Sequence, residues 1–419
     1  MARPSFTEAL ATRPWLLADG ATGTNYFQMG LESGDAPEMW NFDHAERVRS
    51  LHRRFIEAGA DIVLTNTFGG NRHRLKLHNA QDQVREINVA AAKHARAEAD
   101  SAGRTVYVGG SIGPTGEIME PVGTMSHAEA VKAFAEQAMA LQEGGVDVLW
   151  IETMSAEEEL NAAVEGAASA GLPIVTTMSF DTNGRTMMGI TPTAFGALTA
   201  ALAVQPVAIG ANCGVGASEL VATVLGISAA RPDAAIVAKG NCGIPQYQDG
   251  HIHYTGTPEL MADYARIALD AGAKIIGGCC GTSPDHLAAM RKSLETYTRG
   301  ERPTVELIEA RLGPVSLLAK GNCGIPQYQD GHIHYTGTPE LMADYARIAL
   351  DAGAKIIGGC CGTSPDHLAA MRKSLETYTK GARPTVEVIE ARLGPVSQLA
   401  KGVDTAAAGA AARGARRRG

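Results

Sequence analysis

Eight short apolar segments alternate with longer amphipathic segments through about residue 315 of the chain. Each apolar segment has the length of one buried strand, and the segments between them show the periodicity of helices. Several helical segments end in a glycine just before the next strand, as in EAGADI, EGGVDV, SAGLPI and DAGAKI. Glycine readily takes the left-handed conformation in which many helices end. The pattern therefore predicts repeated β–α units, which restrict the fold to a parallel sheet covered by helices.

Eight such units match the length of a (β/α)8 TIM barrel, typically about 250 residues plus insertions. A doubly wound open sheet is the alternative, but no GxGxxG motif opens a helix after the first strand. In a barrel, the chemically active side chains gather at the carboxyl ends of the strands. The polar side chains Asp19, Asn66, Glu152, Cys213 and Cys279 all follow apolar segments directly. We therefore predict an α/β fold of the TIM-barrel type.

The C-terminal half contains a tandem duplication, because residues 239–319 and 320–400 differ at only four positions. Solenoid repeats have periods of roughly 20–50 residues and diverge in sequence, so this repeat is not of that kind. Each copy encodes the seventh and eighth β–α units, and a barrel needs each of these once. We expect a barrel in residues 1–319, a spare βαβα segment in residues 320–401, and a disordered basic tail in residues 402–419.

Composition limits the classes of partner. The net charge of −8 gives no reason to expect nucleic acid, and no apolar segment approaches the ~20 residues of a membrane span. The N-terminal segment lacks the apolar centre of a secretory signal, so we expect a cytoplasmic protein that acts on small molecules. A homo-oligomer remains open. In the reducing cytosol, seven cysteines favour metal binding or catalysis over disulfides.

Three cysteines are expected to converge at one end of the barrel. Cys213 ends the sixth strand, and Cys279 and Cys280 end the eighth, so only the seventh strand separates them. Three thiolates at about 2.3 Å would leave a tetrahedral zinc ion with one open position, which is typical of a catalytic site. Adjacent strand residues face opposite sides, but the flanking glycines allow the bend that both cysteines need. Inert buried thiols and a vicinal disulfide are the alternatives.

The second copy carries its own pair, Cys360 and Cys361, but the chain has one strand that bears Cys213. The two pairs therefore compete for one position. The pair begins 66 residues after Cys213 in the first copy and 147 residues after it in the second. Loop-closure entropy favours the first copy by about 0.7 kcal/mol. We predict that the first copy completes the site, with Cys360 and Cys361 as alternates.

Seven motifs occur in the order DGATGTN, TNTFGGN, GSIGPTGE, DVLWIET, GRTMMGITP, GANCGVG and GGCCGT. Over roughly residues 14–315, they resemble the homocysteine S-methyltransferase family, and in particular its stand-alone bacterial betaine–homocysteine enzymes. The resemblance implies a barrel in which Cys213, Cys279 and Cys280 hold Zn²⁺. It also implies methyl transfer from betaine to a zinc-bound homocysteine thiolate, with methionine and dimethylglycine as products.

The resemblance further assigns residues to the two substrates. It implies that Asp19 and Glu152 contact the amino group of homocysteine and that a tryptophan, here Trp40, lines the donor site. An aromatic face suits a quaternary ammonium donor. Animal betaine enzymes resemble TFY after the second strand, with the tyrosine at the zinc, whereas this chain has Gly69 there. The full substrate-binding set that we expect is Asp19, Gly20, Asn66, Phe68, Glu152, Gly210 and Asn212.

Other functions stay open at this point. The donor can instead be S-methylmethionine, or methyltetrahydrofolate acting through a corrinoid protein. A different class of function is also open, because the duplication can disturb the barrel and leave a non-catalytic zinc- or thiol-binding protein.

Overall fold

Eight parallel strands in the computed structural model correspond to the eight apolar segments of the sequence. The structure describes residues 3–393 except 33, 183, 244, 249–250, 314–316, 322–325, 330–331, 336, 353, 360–362 and 383. It divides the chain into two units, Met1–Pro314 and Val315–Gly419. The eight strands are β1 (Leu16–Leu17), β2 (Ile62–Leu64), β3 (Tyr107–Ile112), β4 (Val148–Met154), β5 (Ile174–Met178), β6 (Ala208–Cys213), β7 (Ile236–Gly240) and β10 (Ala273–Gly278).

The eight strands form one nearly closed sheet in the order β1-β10-β7-β6-β5-β4-β3-β2. A parallel bridge between Ala18 and Ile62 joins the two ends of this order. The backbone N–H of Asp19 also donates to the carbonyl of Ile62, at 3.0 Å. The (β/α)8 barrel predicted from the sequence is therefore confirmed.

Helices follow the strands and cover the outside of the barrel. As predicted, Gly59, Gly145, Gly171 and Gly272 have positive φ, between 65° and 112°, just past helix ends. None of the described helices has the length and apolar character needed to cross a membrane. The helices of the first unit are α1 (Phe6–Thr12), α2 (Gly23–Gln28), α3 (Trp40–Asp43), α4 (Ala45–Glu57), α5 (Arg72–Lys76), α6 (Val84–Asp100), α7 (His127–Gly144), α8 (Glu157–Ala168), α9 (Pro192–Ala201), α10 (Ala217–Ala230), α11 (Pro258–Asp270), α12 (Pro284–Glu295) and α13 (Val305–Leu312), with 3₁₀ turns at Pro37–Met39 and Gln81–Gln83.

The strands alternate between two cores, because successive strand residues face opposite sides of a sheet. Val148, Trp150 and Val237 belong to the cluster inside the barrel, whereas Leu149 belongs to the cluster under the helices. Helix α1 closes the amino end of the interior, where Phe6 packs edge-on against Tyr107 at 5.6 Å between ring centroids. The open end of the barrel is therefore the carboxyl end of the strands.

A short antiparallel hairpin, which was not among the predicted strands, follows β7 in the chain. Its strands are β8 (Pro245–Gln248) and β9 (His251–Tyr254). It lies in the connection after β7, at the carboxyl end of the barrel strands.

The second unit repeats the local structure of the last two β–α units. Strands β11 (Leu317–Gly321) and β14 (Ala354–Gly359) pair in parallel, and β12 (Pro326–Gln329) pairs with β13 (His332–Tyr335). Met342, Ala346 and Met371 form a small buried cluster. Cys360, Cys361 and the predicted tail at 402–419 lie outside the described residues. The helices of this unit are α14 (Pro339–Asp351), α15 (Pro365–Glu376) and α16 (Val386–Leu393).

Removal of either copy tests whether one copy is enough for the barrel. Chains that lack residues 320–400 or residues 239–319 have the same length and differ at four positions. We expect both to fold with thermal midpoints within about 5 °C of each other, because each retains one set of strands for the sheet. Thermal unfolding followed by circular dichroism measures this, with the full chain as reference. Failure of both truncated chains to fold would show that both copies are needed.

Candidate metal centre

Strand β7 sets the level at which the side chains of β6 and β10 meet. Its residue Gly240 is in register with Cys213 of β6 on one side and with Gly278 of β10 on the other. The residue after Gly278 is Cys279, whose backbone N–H donates to the Gly240 carbonyl at 2.7 Å. Two thiol-bearing segments therefore end side by side at the mouth of the barrel.

The three predicted ligands lie together. The Sγ atoms of Cys213, Cys279 and Cys280 are all within 4.8 Å of one another, and those of Cys213 and Cys280 are 3.9 Å apart. Two ligands at 2.3 Å from a tetrahedral ion would lie about 3.8 Å apart. The spacing and the all-sulfur donor set both fit zinc.

Unusual backbone conformations determine the direction of the thiol side chains. Cys213 has a φ of 61°, which is rare for a residue other than glycine and turns its side chain away from the strand alternation. Gly281 has a φ of 81°, and a Cβ there would lie 2.3 Å from Cγ of Tyr254. Glycine at 281 thus permits both the bend after the cysteine pair and the close approach of Tyr254.

Burial and the contacts among the three thiols raise the pKa of each of them. The hydrogen bond with Cys279 lowers the pKa of Cys213, but the one with Cys280 and burial outweigh it and raise the pKa to about 12. For Cys280, the hydrogen bond with Cys213 lowers the pKa, while the contacts with Cys279 and burial raise it to about 12. A divalent cation at the centre of the cluster would favour the thiolates instead.

Two further residues, Cys242 and Tyr254, lie close to the thiol cluster. The Tyr254 hydroxyl at the end of the β8–β9 hairpin hydrogen-bonds with the Cys280 thiol. Sequence reasoning missed this tyrosine, because the hairpin was not predicted. Cys242 is fully buried, and burial raises the pKa of its thiol to about 12. Its thiol is not part of the metal-ligand group found among the described residues.

Glu152 reaches the same end of the barrel through an irregularity in β4. The register with β5 shifts between Ile151 and Met154, and Thr153 has a φ of 64°. Such a bulge changes the direction of a side chain at a strand end. One carboxylate oxygen of Glu152, Oε1, accepts a hydrogen bond from Ser111 Oγ at 2.5 Å. Burial raises the pKa of Glu152, and nearby Lys239 offsets part of this increase.

Asp19 and Lys239 form a buried ion pair that the sequence reasoning missed. The Nζ atom of Lys239 lies 2.7 Å from Oδ1 of Asp19, and each side chain is at most 3% exposed. Burial lowers the pKa of Lys239, but Asp19 and Glu152 outweigh it and hold the pKa above its usual value. The alternation of β7 was a sequence signal for the burial of Lys239. Residues 237 and 239 lie on the same face of the strand, and this face is the interior one.

Asn212 connects three strands to the thiol cluster. Its Oδ1 accepts hydrogen bonds from Thr153 N at 2.9 Å and from Thr177 Oγ1 at 2.6 Å. Its Nδ2 donates to Thr153 Oγ1 at 2.8 Å and lies 4.0 Å from Cys279 Sγ. Asn212 therefore contacts one of the candidate ligands directly.

The two predicted glycines lie where a side chain would collide with neighbouring backbone. A Cβ at Gly20 would lie 2.6 Å from the Thr282 carbonyl oxygen, and one at Gly210 would lie 2.1 Å from the Val237 carbonyl oxygen. These contacts are a packing reason for glycine at both positions. A role in holding the amino acid stays a prediction.

Asn66 and Phe68 follow β2, as predicted. Asn66 is buried, and its Nδ2 donates to the Pro37 carbonyl at 2.7 Å. Phe68 is 37% exposed, and one edge of its ring faces Gly113, where a Cβ would lie 2.7 Å from Phe68 Cδ2. The exposed ring is the better candidate for pocket lining.

Trp40 is buried, and other side chains already cover its ring. The guanidinium carbon of Arg47 is 5.2 Å from the ring centroid, and the Tyr26 ring centroid is also at 5.2 Å. Next to it, Glu38 Oε1 accepts a hydrogen bond from the backbone N–H of Gly69 at 2.6 Å. A Cβ at residue 69 would lie 2.9 Å from this oxygen, which is a packing reason for glycine there. Donor binding by Trp40 stays a prediction.

Comparison with known proteins identifies relatives of the barrel. A family model described as homocysteine S-methyltransferase matches residues 16–294 and 299–375. The chain is 31% identical over 320 residues to a methionine synthase of Mycobacterium leprae (strain TN), which covers 70% of this chain and 26% of that protein. It is 30% identical over 307 residues to the methionine synthase of Mycobacterium tuberculosis (strain ATCC 25618 / H37Rv), which covers 68% and 25% respectively. The chain thus spans about a quarter of the length of these relatives.

Solved structures show the same fold. The homocysteine methyltransferase MmuM from Escherichia coli has been determined in an oxidized form and in a metallated form. Each superposes with a TM-score of 0.57 at 23% identity, and the match covers 68% of this chain and 97% of MmuM. The barrel of the first unit therefore has the same fold as MmuM.

Substitution of single thiols tests the metal site. We expect Cys213→Ser to weaken Zn²⁺ binding by more than about a hundredfold, because it removes one of three soft ligands. Cys242→Ser is the matched control, and it should leave zinc affinity within about threefold of the unaltered protein. Competition with a chromophoric chelator measures both affinities. Equal effects of the two substitutions would contradict the assigned ligand set.

Proposed function

Because the chain belongs to the homocysteine S-methyltransferase family, we propose that it transfers a methyl group to the sulfur of homocysteine. The observation that carries this proposal is the cluster of three thiols within 4.8 Å of one another at the open end of the barrel. A three-thiol set leaves one tetrahedral position for a fourth sulfur, which suits a thiol substrate.

The protein residues hold the metal and orient the substrate. Cys213, Cys279 and Cys280 would hold Zn²⁺, which supplies a Lewis acid that favours the thiolate form of a thiol substrate at neutral pH. Asn212 and Tyr254 contact the Cys279 and Cys280 thiols and fix their directions. Because the substrate sulfur would be deprotonated by binding, no side chain is needed as a general base during the transfer.

The proposed donor is betaine, which would give methionine and dimethylglycine. Its support is the resemblance to stand-alone bacterial betaine enzymes, in which a cationic methyl group is attacked directly by the thiolate. The similarity to methionine synthases favours a second candidate, methyltetrahydrofolate acting through a corrinoid protein. S-methylmethionine is the third, since it also carries a methyl group on a cationic centre.

An assay with each donor separates these candidates. We expect the zinc-loaded protein to form methionine from homocysteine and betaine, with an equal amount of dimethylglycine. Mass spectrometry of methionine from deuterated betaine measures the transfer. If methionine forms from another donor but not from betaine, that donor takes the place of betaine in the proposal. A folded, zinc-loaded chain that turns over none of them would favour the non-catalytic zinc- or thiol-binding protein.

The duplicated cysteine pairs allow a matched test of the site. We expect the double substitution Cys279→Ser and Cys280→Ser to abolish zinc binding and turnover, because it removes two of three ligands. The same double substitution at Cys360 and Cys361 should leave both within about twofold. Zinc content and methionine formation measure the two variants in parallel. Retained activity in the first variant would mean that Cys360 and Cys361 complete the site.

A further inference from the structure

A cleft lies at the amino ends of β7 and β10, whereas the three thiols lie at the carboxyl ends of β6 and β10. Its volume is about 420 Å³, which is in the range of sites for small molecules. It is formed by the connection from α10 to β7, the turn before β10 and the segment between α12 and α13. The polar and charged side chains of its lining are Ser228, Arg231, Asp233, Lys274, Arg299 and Arg302.

The lining of this cleft carries a net charge of +3, because it contains four lysine or arginine residues and one aspartate. The whole chain has a net charge of −8, so the positive charge is a local feature. The one aspartate is already paired, since Oδ1 and Oδ2 of Asp233 accept hydrogen bonds from Nε and Nη2 of Arg231, each at 3.1 Å. Lys274, Arg299 and Arg302 therefore have no carboxylate partner in the lining.

Lys274 places a partly buried ammonium group in the cleft. It lies where the pairing of β10 with β7 shifts register, between Ala273 and Ile275. Its ammonium group donates to the carbonyl oxygen of Arg13. Burial lowers the pKa of Lys274, and the positive charge of Arg299 lowers it further. The two cations are thus close enough to repel each other, and an anion bound to both would offset this repulsion.

Arg302 and Arg299 both approach Ser228. Nη2 of Arg302 donates to Ser228 Oγ at 3.0 Å and to the Leu225 carbonyl oxygen at 2.6 Å. Gly272 has a φ of 112°, and a Cβ there would lie 3.4 Å from Ser228 Oγ and 3.5 Å from Nη2 of Arg299. Glycine at this position therefore leaves a space that Ser228 and the Arg299 guanidinium border.

Contacts with helix ends account for part of this positive charge. Arg302 bonds to a carbonyl of α10, and Lys274 bonds to the carbonyl of the residue that caps α1, which are favourable places for cations. Arg299 is exposed and makes no hydrogen bond or ion pair within the described part of the chain. Asp270 of α11 does not pair with it, because its carboxylate accepts hydrogen bonds from the segment that follows α12. Arg299 thus has no structural partner that explains its position.

We infer that this cleft binds a diphosphate group, either as free pyrophosphate or as part of a phosphorylated metabolite. Arginine presents paired N–H donors that match phosphate oxygens, and lysine adds a compact positive charge. Two phosphate groups carry roughly three to four negative charges at neutral pH, close to the +3 of the lining. This inference goes beyond the proposed function, because the cleft and the metal centre lie at opposite ends of the barrel.

The duplication provides matched control residues for the cleft. Lys355 and Lys380 of the second copy correspond to Lys274 and Arg299 of the first. Residues 228–235, which form one wall of the cleft, precede the duplicated segment and occur once in the chain. We therefore expect the second copy to lack a site of this kind.

Isothermal titration of the full chain with pyrophosphate, in a buffer free of phosphate and magnesium, tests the inference. Lys274→Met with Arg299→Met should weaken binding by about a hundredfold, because it removes two charge-assisted contacts. Lys355→Met with Lys380→Met is the matched control, and it should leave the Kd within about twofold. Arg299→Met alone replaces the first double variant if that one does not fold, with an expected loss of about tenfold.

The conservative variant Arg299→Lys separates charge from geometry. It keeps the positive charge but loses the paired donors, so we expect pyrophosphate binding to weaken by roughly five- to tenfold. Citrate, which carries three carboxylates, should bind the unaltered chain at least about tenfold more weakly than pyrophosphate. Equal binding of citrate and pyrophosphate would show that the cleft selects charge alone, and would overturn the assignment to diphosphate.

Titration with ADP identifies the source of the diphosphate group. Binding of ADP at least about threefold tighter than pyrophosphate would support a larger phosphorylated metabolite, because the rest of the molecule then adds contacts. Equal or weaker binding of ADP would support free pyrophosphate.

Two outcomes would overturn the inference while leaving the methyl-transfer proposal intact. One is the absence of pyrophosphate binding to the unaltered chain. The other is unchanged binding in Lys274→Met with Arg299→Met, which would place the anion on another part of the chain, such as the arginines of residues 402–419. Conversely, a chain that binds pyrophosphate but forms no methionine would contradict the proposed function alone.

Discussion

The register that β7 imposes between β6 and β10 decides where the chemical groups of this barrel lie. Gly240 pairs with Cys213 on one side and with Gly278 on the other, so the thiol-bearing ends finish at one level. One residue earlier, Lys239 pairs with Asn212 and Gly277. A shift of the register by one residue would turn these side chains to the opposite face. The metal centre and the charged layer beneath it therefore depend on the same set of backbone hydrogen bonds.

The ion pair beneath the thiols has an energetic cost that the fold must offset. Two buried charges lose their hydration, and their attraction often does no more than compensate for this loss. Here, the bonds of Asp19 to Leu64 N and of its carbonyl to Gly278 N add contacts between strands that meet where the barrel closes. The pair thus contributes to closure of the barrel.

The sequence predicted the elements that depend on local patterns. The eight strands, the glycines at helix ends and the barrel follow from periodicity and from residue preferences. The convergence of three cysteines followed from strand order alone. By contrast, the positive φ values of Thr153 and Cys213 arise because tertiary contacts override local preference. Threonine and cysteine rarely adopt this conformation, so the residue types do not predict it.

The partner of Lys239 was beyond sequence reasoning for a different reason. Asp19 is 220 residues away along the chain, and only closure of the barrel brings the two together. The same holds for Tyr254, because a polar hairpin segment gave no periodic signal that places its last residue at the thiols. Long-range pairings of this kind need the topology and the register together.

The duplication adds a choice between two strand pairs that have the same internal register. Lys239 pairs with Gly277 in the first unit, as Lys320 pairs with Gly358 in the second. The strands nevertheless begin differently, because Val237 of β7 corresponds to Leu318 of β11. Val237 is fully buried in the barrel interior, and a Cβ at Gly210 would lie 2.7 Å from its Cβ.

A leucine at this point of the barrel interior would therefore overfill it. An extra methylene group in a packed core costs roughly 1–3 kcal/mol. That cost exceeds the loop-closure preference of about 0.7 kcal/mol and acts in the same direction. Valine is also the better strand former of the two, because its branched Cβ suits the pleated surface. Core packing, more than chain length, thus favours Ile236–Gly240 as β7, and β10 of the first copy follows because the chain leads from Gly240 directly into that copy.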